Sequence, residues 1–493
     1  MFDFKWLGTL LAEALLLYYV SFIIWNWRFV KFSWKNNAFF LPFLPGIGNI
    51  YIAIIARCTD NVVGILTFID DVFGFPFNLW LGHNYHYITK DPQEVKTILH
   101  NISAQNKGFT YQDISYVFQN SLLTIHYNKW RLRRKEYAKS FKPASLKPFS
   151  LDYYKDSCDF IKEVKRQNGE LVIAYDTFTK YAFNSFFSTS IALDKKPTNM
   201  HRFGECLMEF QSDVARKLLN PLIPASLWLR FQAGGKIVAR KVKELRSISE
   251  EILRDKNNQR EDFKSFVANE ETPALLDLMM SLKGGILSDE DIFDDLMFLS
   301  SAATDTSGHL LMFMFTLLGM YPEVQQKIYD EVIQLVGENN ILPDDVSMLI
   351  YTEAFISESL RLLPVVPVLS RSLDKDINLG HKIIPKGANV VLSLFHLHRS
   401  EKYWEDPQKF DPDRFLPENI SKITPYSYLP FSSGPRDCLG KAQAMVMLKI
   451  SVGSIVRSFQ ISSKHKSIDE FELMSSLSLK TKHPLDCHFT PRD

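Results

Sequence analysis

The sequence predicts a mainly α-helical protein with a small β-rich lobe, carried behind one N-terminal membrane-crossing helix. Three observations lead there. An apolar, aromatic run from Trp6 to Trp27 has about the length a helix needs to span a bilayer. Long stretches of the body, above all Asp291–Met320 and the segment after Cys438, repeat apolar residues near the helical period. Shorter runs at Phe77–Thr89 and 383–394 are rich in β-branched and aromatic residues and are bounded by Gly or Pro, as strands are.

The 493 residues suffice for a large core, and the chain has no internal repeat or low-complexity linker. The organisation expected is an anchor at residues 1–30, a hinge at 31–50 and one body at 51–493. A net charge of +1 suggests neither nucleic acid nor a strongly acidic partner. Five cysteines without a CxxC read as reduced and cytosol-facing. His83 and His86 have metal-ligand spacing but no Cys or carboxylate company, and are read as ordinary surface or core residues.

In the anchor, tryptophans stand at both ends, where a bilayer interface favours them. Arg28, Lys31 and Lys35 follow directly, and the positive-inside bias puts the body in the cytosol. Glu13 is a cost one such helix tolerates. The run is long for a cleaved signal peptide and lacks a small-residue cleavage site. Pro42, Pro45, Gly46 and Gly48 then give a turn-rich hinge. Two strands are expected around Gly82, and Asp91-Pro92 starts a helix through Val95 and Leu99. Trp130–Ser140 is a basic helix with Lys129 before it, in which Trp130 and Arg134 are four apart and share a face. Its Arg131, Lys135 and Lys139 form a stripe suited to an acidic protein partner. Residues 150–290 read as mostly helical. Within them Leu218–Phe231, interrupted by Pro221 and Pro224, suits a substrate access region, a membrane-dipping surface or plain helix packing. Glu250–Glu270 is charged and expected exposed.

Asp291–Met320 is anomalous in its middle, where Ala302-Ala303-Thr304-Asp305-Thr306-Ser307-Gly308 sets small polar residues inside an apolar helix. Hydroxyls there bond the carbonyl one turn back and are expected to loosen the helix. Glu358 and Arg361 are three apart on one helix face, in isolation an ordinary surface ion pair. The loop Phe431-Ser-Ser-Gly434-Pro-Arg436-Asp-Cys438-Leu-Gly440 leads straight into a helical apolar pattern. Cys438 therefore falls at a helix N-terminus, among unpaired N–H groups and the positive dipole end, which favours thiolate. Gly434 and Gly440 permit close approach to something flat and large. Arg436 suits an anionic group beside the sulfur. A thiolate so placed is what a haem iron uses as an electron-donating axial ligand.

Phe-x-x-Gly-x-Arg-x-Cys-x-Gly resembles the haem-binding signature of the cytochrome P-450 family at every fixed position. The likeness runs in the family's order through almost the whole body and is most specific from 290 to 450. It implies the P-450 fold, a noncovalent haem b with Cys438 as axial ligand, and Phe431, Gly434, Arg436 and Gly440 as its cradle. Trp130 and Arg134 resemble the pair that contacts one propionate, and Arg371 falls where a second propionate-binding arginine stands. Asp305 and Thr306 resemble the family's proton-relay and oxygen-side pair, although Ala303 replaces the usual glycine. Glu358 and Arg361 resemble its buried Glu-x-x-Arg, joined by Arg414 of Phe410-Asp-Pro-Asp-Arg414-Phe415 into a network that fixes the cysteine loop. The wording of 351–418 is similar to the animal clan of fatty-acid ω-hydroxylases and many insect enzymes. Ala302 replaces the glutamate that many of those join to haem, and Gln443 and Met447 depart from common residues after the cysteine.

The function implied is a membrane-anchored monooxygenase of the endoplasmic reticulum, single-pass with its catalytic domain cytosolic, acting on an apolar small molecule. Electrons would come from NADPH through a flavoprotein reductase, with cytochrome b5 as a further candidate partner. The alternatives are a reductase-independent peroxide isomerase or dehydratase of the same fold, and a non-catalytic haem protein. Thr110–Leu123, Leu218–Leu229, Leu363–Leu369 and Ser475–Leu479 are the expected pocket segments.

Overall fold

The computed structural model describes residues 4–36, 39–40, 48–59, 61–108, 110–166, 175–192, 200–218, 225–258, 273–475, 478–485 and 487–492. Pro42, Pro45 and Gly46 of the expected hinge, Pro221, Pro224, and the charged stretch beyond 258 lie outside the described residues.

The N-terminal helix Phe4–Trp25 contains an 18-residue stretch, Gly8–Trp25, of mean hydropathy 1.6 that is 6% buried. Helix resumes at Trp27–Lys35, so the stretch expected as hinge begins inside it. Aromatic contacts tie this region to the β lobe: Phe22 meets Trp80 edge-on at 5.1 Å and Phe29 stacks on Tyr85 at 4.6 Å.

The lobe is one six-stranded sheet, in spatial order Phe39–Phe40, Phe77–Leu81, Asn84–Thr89, Asn389–Ser393, Val368–Ser372 and Asn106–Lys107. Gly82 makes the hairpin turn with φ +60°, in the left-handed region where glycine is unstrained. The first long helix after it starts at Pro92, capped by Asp91, whose carboxylate accepts from Gln93 and Glu94 N–H. At the sheet's far edge Lys107 is the direct register partner of Arg371. Two like charges face each other there, an arrangement that destabilises a bare sheet.

The rest is mainly helical, with three small two-stranded sheets among the described residues, and is built around Asp289–Met320, 32 residues long, hereafter the central helix. Ser288 and Asp291 form a reciprocal capping box at its start. Its two ends are buried in different cores. Leu310–Leu318 pack with the C-terminal helix Lys441–Ser458, and Ile292–Leu299 pack with Met200–Leu218 and Ala233–Asn258. The small middle, 300–309, lies between these cores. Gly308 serves a helix crossing, since a Cβ there would sit 2.7 Å from Thr179 Oγ1 and 2.9 Å from Thr179 Cα of the helix Tyr175–Phe186.

The loosening expected in this middle is not present. The helix is α throughout, although the Thr306 hydroxyl does bond the Ala302 carbonyl at 2.8 Å. A carbonyl has two lone pairs and can take both partners. The irregular turn is elsewhere, a π-helical turn at Phe187–Ile191.

Candidate active site

The central helix and the cysteine loop together line a cavity of about 410 Å³. From the loop come Phe431, Ser432, Arg436, Asp437, Cys438 and Gly440, and from the central helix Ala302, Ala303, Asp305 and Thr306. Of the five cysteines, Cys438 alone is among the described lining residues.

The loop is held by its own backbone. Cys438 N–H donates to the Phe431 carbonyl at 3.0 Å and Asp437 N–H to that of Gly434 at 3.1 Å. Gly434 has φ +76°, and a Cβ on it would meet the Leu99 carbonyl at 2.5 Å. The helix Pro92–His100 behind the loop therefore already requires glycine there, and Gly434 is not among the residues that line the cavity. Gly440 is the N-cap of the C-terminal helix, and no protein atom lies within 4 Å of where its Cβ would stand. Cys438 opens onto the cavity while lying deep in the fold. Burial pushes its thiol up, against Gly440 N–H, Arg134 and Lys441, which favour thiolate.

Arg371 and Arg436 are 1% and 6% exposed. The Arg436 guanidinium lies 4.3 Å over the Trp130 ring and donates to the Ile125 carbonyl at 3.1 Å. The Nε atoms of both arginines are buried without a partner. Lys107, which sequence reasoning missed, joins them and lies 4.8 Å over the Tyr111 ring. No carboxylate among the described residues pairs with any of the three. Burial depresses all three, and repulsion adds to it for two: Lys107 lies well below the usual range through burial and then Arg371 and Arg436, Arg436 falls to about 9 through burial and then Arg371, and Arg371 is lowered by burial. A cluster of buried cations with empty donors calls for an anionic ligand.

Arg134 lies on the cavity wall, but its guanidinium is engaged by Asp437 at 2.7 Å, beside the sulfur. Trp130 is buried and orients Arg436 instead of standing alone over the cavity. Asp305 and Thr306 both reach the lining. Gln443 donates to Thr189 and Ser190 at 3.0 Å each, tying the C-terminal helix to the π-helical turn, and Met447 also lines the cavity.

Glu358 and Arg361 are fully buried and joined in two bonds of 2.7 and 2.8 Å. Arg361 also donates to the carbonyls of His398, Pro407 and Lys409. Arg414 Nε stands 3.7 Å from Glu358. Of the expected pocket segments, Thr110–Leu123 supplies Tyr111, Ile114, Phe118, Leu122 and Leu123, and Leu363–Leu369 supplies Val365, Val366, Val368 and Leu369. Ser478 comes from the fourth segment, and no described residue of Leu218–Leu229 lines the cavity. Trp228 is buried in a helix core instead.

A mainly helical body, a small sheet and a cavity joining a cysteine, deep-lying cations and a helix with a small polar middle define a protein built to enclose a large anionic ligand beside a thiol. The family profile named Cytochrome P450 matches residues 42–487, and the chain belongs to that family. It is similar to "Probable cytochrome P450 4p3" of Drosophila melanogaster, 28% identical over 81% of this chain and 80% of that one. It is also similar to "Cytochrome P450 4c3" of the same fly, 28% identical over 84% and 82%, and to "Cytochrome P450 4V2" of Mus musculus, 28% identical over 82% and 79%. The chain is thus a haem monooxygenase, and its cofactor is haem b with an axial cysteine thiolate. The residues present fit that group, since haem b carries two propionates and the cavity is lined by Lys107 and Arg436, with Arg371 close behind and the Nε atoms of both arginines without a partner.

Proposed function

We propose that this chain is a membrane-anchored monooxygenase in which Cys438 ligates the haem iron and Lys107, Arg371 and Arg436 hold the propionates. Phe431 and Gly440 line the ring's bed, Trp130 orients Arg436, and Arg134 steadies the loop through Asp437. Gly434 shapes that loop from behind. The observation that carries the reading is the meeting of Cys438, Lys107 and Arg436 in a single cavity with Asp305 and Thr306, with Arg371 buried close behind and no carboxylate among the described residues paired to the three cations. Bound there, haem supplies dioxygen binding and O–O cleavage.

The chain's own residues supply the protons. The Thr306 hydroxyl commits its proton to Ala302 at 2.8 Å, so it offers the cavity only acceptor lone pairs. A water held on them points its other proton into the cavity. The Asp305 carboxyl, one residue before, passes a proton to that water and takes one back. Apolar walls from Phe298, Leu299, Val365 and Leu369 exclude bulk water and fit an apolar substrate. Ala302 offers no carboxylate for a covalent link, so the haem stays noncovalent. The overall change is substrate C–H plus dioxygen, NADPH and a proton to alcohol, water and NADP⁺, or the corresponding epoxide.

Electrons reach the cofactor from NADPH through a separate flavoprotein reductase, with cytochrome b5 as a second donor. Exposed Arg131 and Lys135 offer the docking charge, while Lys139 is partly neutralised by Glu136 at 2.5 Å. Phe4–Trp25 anchors the chain in the endoplasmic reticulum membrane, with the body cytosolic.

The test is a panel of apolar compounds incubated with purified protein, reductase, NADPH and ¹⁸O₂. Products carrying one ¹⁸O, absent without NADPH or reductase, are expected. Turnover of lipid peroxides with neither present would favour the isomerase or dehydratase instead.

A further inference from the structure

The polar path that reaches the cavity at Asp305 continues away from it. One helical turn on, His309 is 5% exposed. Its Nδ1 lies 2.9 Å from the Asp305 carbonyl and 3.5 Å from the Asp305 carboxylate Oδ1. Spacing of four residues puts the two on one helix face. The residues that follow, Leu310–Leu318, are buried and apolar apart from Thr316, so an imidazole here carries a desolvation cost that packing alone does not require. The charges that face it are Asp305 on its own helix and Lys480 on the strand Leu479–Thr481, which is half-buried. Burial, and then Lys480, hold the imidazole below its ordinary range, and Asp305 acts the other way.

We propose that His309 is a positioning residue for oxygen activation, which aims the Asp305 carboxyl at the cavity and returns a proton to it after each transfer. The inference rests on the function proposed above. As the Asp305 proton leaves for the cavity water, the Nδ1 proton of His309 passes to Asp305 Oδ1, Nε2 takes a replacement from solvent water, and the ring returns to its Nδ1–H tautomer by proton exchange with water before the next transfer. Each proton lost is replaced and no electrons move. A neutral imidazole suits this task, because it accepts and releases a proton without storing it.

The test needs no known substrate. Reductase and NADPH drive the full-length protein in its absence, and the electrons emerge either as hydrogen peroxide, two per dioxygen, or as water, four per dioxygen. Slower proton delivery favours peroxide. In His309→Ala the fraction of electrons recovered as peroxide is expected to rise at least twofold, and so is the solvent deuterium effect on NADPH consumption. His309→Gln keeps an amide donor for the Asp305 carbonyl but cannot relay a proton, so it should behave like His309→Ala. Wild-type behaviour of His309→Gln would reduce His309 to a structural hydrogen bond and overturn the proposal. Should His309→Ala fold poorly, His309→Gln still decides. Independently of turnover, ring-¹⁵N NMR should show the His309 pKa falling in Asp305→Asn, and an unmoved titration would show the pair uncoupled. Absence, in every form, of the red-shifted Soret band that a thiolate-ligated haem gives when reduced and treated with carbon monoxide would count against the haem-thiolate reading. An intact band with unmoved peroxide yield would count against His309 alone.

Discussion

Lys107, Arg371 and Arg436 bring three positive charges into one buried place with no carboxylate among the described residues to meet them. Such a cluster is unfavourable for the empty protein and favourable for one that holds an anion. The consequence has two opposite signs. Lys107→Met removes a buried cation while keeping the stem's volume, so the haem-free protein should be as stable as wild type or more so. Haem should leave about tenfold or more faster, from the ~1.5–3 kcal/mol of a charged hydrogen bond, measured by transfer to excess apomyoglobin. Equal loss rates would remove Lys107 from the site. Arg371 and Arg436 were legible because a motif or its neighbourhood marks them. Lys107 was not, because it lies in a two-residue strand with no period of its own. Only its pairing with the strand Val368–Ser372, far along the chain, brings it to the cavity. Arg134 was legible as a cavity residue, but its engagement by Asp437 depends on the folded loop.

Among the elements, the central helix does most to shape the site. Its ends are apolar and belong to separate cores, and its middle is small so that a neighbour and a cavity can come close. Gly308→Ala would press a Cβ onto the backbone of Thr179, which a side-chain shift cannot relieve. Overpacking of this kind costs about 1–3 kcal/mol. A lowered midpoint in chemical denaturation, with haem content falling alongside, is expected; an unchanged midpoint would mean the two helices part freely. The basic helix Tyr127–Tyr137 is tied to the central helix through its inward residues, Arg133 at 3.2 Å and the Tyr137 hydroxyl at 2.6 Å, both on Asp295. Periodicity announced the central and C-terminal helices because long apolar segments repeating near the helical period need no tertiary context. It gave no sign of the π-helical turn Phe187–Ile191, whose side chains answer to Gln443 across the fold. It also offered Leu218–Leu229 as pocket, since an apolar run reads the same whether it faces a cavity or another helix.

Across the whole molecule, the loop that carries Cys438 is braced by charges far from it in sequence. Glu358 accepts twice from Arg361 and once from the Asp411 N–H at 2.8 Å, and Arg361 gathers three carbonyls of the segment 398–409. In the sequence these were an everyday pair at helical spacing, and only the ordered company of motifs distinguished them; their full burial is a property of the fold. Glu358→Ala leaves a buried guanidinium without its carboxylate, a loss of about 3–5 kcal/mol. The expected product is poorly folded and low in haem by absorbance against total protein, and a fully loaded, stable variant would contradict the bracing role. All these parts converge on one sulfur, so the measurement that tests the account most directly is the absorption spectrum of the reduced, carbon monoxide-treated protein beside its Cys438→Ser variant. The account predicts a strongly red-shifted Soret band in the wild type that the variant lacks. A band at the position of histidine-ligated haem, or a red-shifted band that survives in Cys438→Ser, would contradict it.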